Sequence, residues 1–114
     1  IVSAGGVLIE LLNDKVAALA PFNSEFAKDL LTEMSVSRLL SGYRGRPAAD
    51  IDGLALQLAR FSRMVALLGN AISEIDINPV TCGPDGAFAV DFLLVPKTNY
   101  RDDKDLYLEP SEIM

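Results

Sequence analysis

Three oxygen-bearing side chains recur at every second position of the stretch SEIDINPV: Glu74, Asp76 and Asn78. Successive side chains of an extended strand point to opposite faces, so these three share one face and Ile75, Ile77 and Pro79 share the other. A second strand-like run, AFAVDFLLV, follows Gly83-Pro84-Asp85-Gly86 and carries one acid, Asp91. If those four residues form the loop of a hairpin, Cys82 faces Ala87, and the same register sets Asn78 opposite Asp91. Opposed residues of an antiparallel pair have Cβ atoms roughly 4.5–5.5 Å apart on one face. An amide oxygen and a carboxylate at that spacing can meet one hard cation at about 2.1 Å and leave positions for water and phosphate, the arrangement Mg²⁺ favours. A slip of one residue would send the acid to the other face, so the chemistry depends on the register.

Two other readings compete. The spacing Glu74-x-Asp76-x-Asn78 imitates the opening of an EF-hand loop. That loop needs a turn-forming glycine where this chain has Pro79, and Ile75 and Ile77 read as strand core. The second competitor is a solvated acidic face with no ligand, which the residues alone leave open. Asn78-Pro79 bears on both: the residue before proline is pushed toward extended backbone, and proline donates no ladder hydrogen bond. This part of the strand is therefore expected at an edge or a ladder interruption.

The elements that must position these side chains are legible from period and punctuation. Val7–Leu12 (VLIELL) reads as a buried strand, Asn13-Asp14 as a turn, and Lys15–Ala20 as a returning strand that ends at Pro21. Asn23 or Ser24 caps a helix running to about Met34, with Phe26, Leu30, Leu31 and Met34 on its apolar face. Val36–Leu40 reads as a short helical turn, and Gly42–Asp50 (GYRGRPAAD) as a loop. Asp50 caps a long helix whose Ile51, Leu54, Leu58, Phe61, Val65 and Leu68 form one stripe, stopped at Gly69-Asn70. The hairpin Ile72–Val80 and Ala87–Val95 follows, then a polar tail. The order strand–strand–helix–helix–strand–strand predicts an α+β fold: an antiparallel sheet from two β-hairpins, with helices packed on one face.

Composition narrows the functional classes. The 114 residues suit one domain, and half of them are apolar. Ten basic residues stand against 16 acidic ones, net −6, which disfavours a nucleic-acid partner and fits a bound cation. There is no histidine, so no histidine base, metal ligand or phosphohistidine lies within the chain. Cys82 is the single cysteine, which permits no intrachain disulfide and points to a reducing, cytoplasmic setting. No apolar run reaches the roughly 18 residues of a membrane span. The N-terminus lacks the basic segment of a secretory signal. The chain opens on IVSAGG without Met, and reads as a processed or excised piece of something longer.

Taken together, GGVLIELLND, LAPF, LLSGYRGRPAADIDGLA, SEIDINPV and GAFAVDFLL closely resemble, in this order, the C-terminal part of the ATP-grasp domain of NDP-forming (ADP-forming) acyl-CoA synthetases. These are related to the β-subunit of succinyl-CoA synthetase. The resemblance covers about Gly5 to Leu94. It implies residues 1–96 as the C-terminal portion of an ATP-grasp nucleotide-binding domain and 97–114 as a polar tail outside it. It also implies ATP or ADP and Mg²⁺ as cofactors, and formation of an acyl-CoA from an acid, CoA and ATP by phosphoryl transfer. Asn78 and Asp91 match the family's metal-holding positions; Asp76 and Glu74 take water-mediated places further out. Gly5 and Gly6 match the end of a phosphate-approaching glycine stretch, against the alternative of a turn that only leads into a strand. Arg44, with Arg46, could meet an anion, against the alternative of a loop fixed by Arg44 pairing with an acid, with Tyr43 as a half-buried anchor.

The family's phosphate-contacting Lys, adenine pocket, CoA-binding regions and phosphohistidine lie outside the stretch matched. The resemblance therefore implies partners: the remaining ATP-grasp lobe and the CoA-binding domains, in the same chain or a separate subunit. It also implies no activity for this segment alone, and self-association through apolar surface that the missing half would cover. Two further functional readings stand beside it. One is a synthetase-like regulatory region of a protein lysine acetyltransferase. The other is a non-enzymatic acidic α+β interaction module.

Overall fold

The computed structural model describes residues 1–6 and 13–98. Its elements run β1 (Val2–Ser3), β2 (Lys15–Val16), α1 (Ser24–Glu33), α2 (Ser37–Leu40), α3 (Ile51–Leu68), β3 (Ile72–Ile77), β4 (Val80–Gly83), β5 (Gly86–Ala89) and β6 (Phe92–Pro96). Helices and antiparallel strand pairs make the fold α+β, as expected. The strand expected at Val7–Leu12 lies outside the described residues. The returning strand is shorter than expected: only Lys15–Val16 is in a ladder, and it pairs with Val2–Ser3, before the two glycines.

Both main helices begin where local chemistry requires. Asn23 Oδ1 accepts the Phe26 N–H at 2.9 Å, and Asp50 Oδ1 accepts the Gly53 N–H at 2.8 Å. Each satisfies an amide that the first turn leaves without an intrahelical acceptor. α1 lies against α3, and their contact makes the core: Ala27, Leu31 and Met34 meet Leu54 and Ala55. The stripe read from the sequence is only partly covered. Leu54 is buried, while Ile51, Leu58, Phe61, Val65 and Leu68 are half-buried. The most enclosed positions of α3 include the small residues Ala55 and Ser62, which let α1 and the chain before it approach closely.

Ser62, only 3 % exposed, explains how a hydroxyl is tolerated there. Its oxygen accepts the Phe22 N–H at 3.1 Å. Its single proton has Ala59 O at 2.8 Å and Phe22 O at 3.2 Å as acceptors. This ties the segment after the cis Ala20–Pro21 bond to α3. Asp14 does similar work at the other end of α1: its two carboxylate oxygens accept the Ser35 and Val36 amides, each at 2.8 Å.

After α3 the chain forms one long hairpin in two ladders. β4 pairs with β5 and β3 pairs with β6. The tip is tighter than the four residues expected, because Gly83 and Gly86 pair with each other and only Pro84-Asp85 turn. Gly86, at φ +124°, takes a conformation that side chains disfavour. The hairpin is anchored to the helices by Cys82 and Ala87, which pack on the core, and by the Asp50 N–H, which donates to Gly83 O at 2.9 Å.

Candidate metal centre

The hairpin keeps one register from its tip to Glu74. Cys82 pairs with Ala87 and Val80 with Ala89; past the break, Ile77 pairs with Phe92, Asp76 with Leu93 and Glu74 with Val95. The break falls at Pro79, which has no N–H to give. Two hydrogen bonds carry the register across it: Asn78 N–H to Asp91 O at 3.0 Å, and Val90 N–H to Pro79 O at 2.9 Å. Asn78 and Asp91 are therefore opposed, as the loop arithmetic requires. The Asn78–Pro79 peptide bond is cis.

Asn78 and Asp91 are exposed, while Ile75 and Ile77 are half-buried, so the oxygen-bearing face is the solvent side of β3. The Phe92 N–H donates to Asp91 Oδ1 at 2.8 Å, which holds the carboxylate against its own strand. A neutral amide and one carboxylate suit a hard cation that keeps most of its own water.

Glu74 and Asp76 lie further along the same exposed face of β3. A strand rises roughly 3.3 Å per residue, so Asp76 stands about 7 Å and Glu74 about 13 Å along β3 from Asn78. The residues opposite them, Leu93 and Val95, offer no side-chain oxygen. Asp76 is thus the nearer of the two to Asn78, on the same exposed face of β3. Among the described residues no group of three or more His, Cys, Asp or Glu side chains could hold a metal ion.

The remaining candidates lie on other segments. Gly5 and Gly6 follow β1, both exposed, with open space where a side chain would stand; Gly6 has φ +96°. Arg44 sits in the loop after α2 at φ +49°, its guanidinium 5.2 Å from the Tyr43 ring centroid. Tyr43 is 51 % exposed, a stacking platform for Arg44 rather than the half-buried anchor expected. The foot of this loop is pinned by Ala49 N–H to Leu40 O at 2.7 Å and by the Asp50–Gly83 bond. Gly83 is five residues from Asn78, roughly 16 Å along the strand. The foot of the arginine loop thus meets the hairpin at its tip rather than at the Asn78–Asp91 pair. Cys82, beside that contact, has its thiol pKa pushed up by burial and then by the charge of Asp50. Asp14 and Ser62, which position α1, α2 and α3, went unread in the sequence because their partners are 21 to 40 residues away.

Residues 1–95 match the model of the ATP-grasp domain. The chain belongs to the ATP-grasp family. It is 37 % identical over 91 residues to ADP-forming acetate–CoA ligase I of Archaeoglobus fulgidus, covering 80 % of this chain and 13 % of that protein. It is 33 % identical over 95 residues to the β-subunit of ADP-forming acetate–CoA ligase II of Pyrococcus furiosus, covering 82 % and 40 %. Among solved structures, this ATP-grasp chain superposes on acetyl-coenzyme A synthetase 1 of Ca. Korarchaeum cryptofilum, in complex with coenzyme A and Mg-AMPPCP. The TM-score is 0.69 and the identity 32 %, over 82 % of this chain and 43 % of that one. The chain therefore corresponds to part of the ATP-grasp region of ADP-forming acyl-CoA synthetases, and spans less than half the length of these relatives.

Proposed function

We propose that this chain provides the metal-holding hairpin of the ATP-grasp region of an ADP-forming acyl-CoA synthetase, which joins an acid to CoA at the expense of ATP. The observation that carries it is the opposition of Asn78 and Asp91 across a register unbroken at Pro79. Asn78 would hold Mg²⁺ through its neutral side-chain oxygen and Asp91 through its carboxylate, steadied by the Phe92 amide. Mg²⁺ bound with ATP or ADP offsets charge on the phosphate oxygens during phosphoryl transfer. The carboxylates act here as ligands and orienters, not as an acid–base pair. Asp76 would reach the ion through water, and Glu74 contributes charge further out. Arg44 and the Gly5-Gly6 turn would face nucleotide phosphates only once the rest of the domain closes over them.

Residues 1–96 form the ATP-grasp portion and 97–114 a polar tail. The remaining ATP-grasp lobe and the CoA-binding domains are the partners. The segment is inactive alone, since it contains no His for a phosphohistidine relay. Phe88, Val90, Phe92 and Leu93 are 56 to 68 % exposed, which supports self-association of the isolated chain. The single free cysteine fits a reducing cytoplasm. Among the described residues no helix is long and apolar enough to cross a membrane.

The test is an NMR titration with Mn²⁺, with and without ADP, following the Asn78 side-chain amide. Selective broadening at Asn78 that weakens in Asp91→Asn is expected. Broadening spread evenly over Glu74, Asp76 and the other acids would overturn the assignment in favour of a solvated acidic face.

A further inference from the structure

No further inference is drawn: the strongest candidate, the exposed apolar surface that Phe88, Val90, Phe92 and Leu93 form on β5, β6 and the link between them, carries nothing because nothing in the structure shows what covers it.

Discussion

Replacing Ser62 with alanine tests the packing that holds α3, and through Asp50 the hairpin, in place. The hydroxyl accepts the Phe22 amide and donates to a carbonyl within α3. Alanine removes both bonds and leaves the Phe22 N–H without its acceptor. An enclosed donor so orphaned costs about 1–3 kcal/mol, and Phe22 is half-buried, so water recovers part of that and about 1.5 kcal/mol is left. Alanine returns about 0.5 kcal/mol through its better helix propensity. The net expectation is a loss of roughly 1 kcal/mol, or about 4–8 °C in Tm for a domain of this size. Urea unfolding followed by circular dichroism measures it, with an unchanged m-value as the sign that only the native state was altered. Ser73→Ala is the matched control. It also deletes a hydroxyl-to-carbonyl bond, to Val95 O at 3.1 Å, but an exposed one that water replaces, so it should cost no more than about 0.5 kcal/mol. Equal effects from the two variants would refute the claim that burial sets the cost. A Ser62→Ala protein as stable as the parent would refute the clamp itself.

Gly42→Ala should destabilise by about 1–3 kcal/mol, measured in the same assay, because φ +97° disfavours a side chain and the new Cβ would lie 3.2 Å from Arg46 O. The raised Cys82 pKa has a definite sign in pH: below the ordinary thiol value of 9.0 the group is neutral in both folded and unfolded chains and costs nothing. As pH rises past that value the unfolded chain ionises first, so stability falls there. Cys82→Ala should flatten that fall in a pH series of unfolding curves, and native Cys82 should alkylate more slowly than in the unfolded chain. Leu93→Lys, at a site 56 % exposed, should leave Tm nearly unchanged and reduce self-association in sedimentation velocity. A wild-type chain that is monomeric at every concentration would remove the basis for that comparison and for the proposed association.

What the sequence determined by itself is what short-range physics governs. Helix starts were legible at Asn23 and Asp50 because a capping side chain reaches an amide only three residues on. The opposition of Asn78 and Asp91 was legible because a tight turn sets register and the two-residue strand period carries it outward; even the shorter Pro84-Asp85 tip leaves the pairing intact. The ladder break at Pro79 follows from a missing N–H. Only the tertiary structure decided the rest. Val2–Ser3 pairs with Lys15–Val16, Ser62, off the stripe, is enclosed more fully than any residue of the stripe on α3, and Asp14 caps a turn 21 residues away. These outcomes depend on which distant segment arrives at a surface, and a local pattern of side chains carries no information about that arrival.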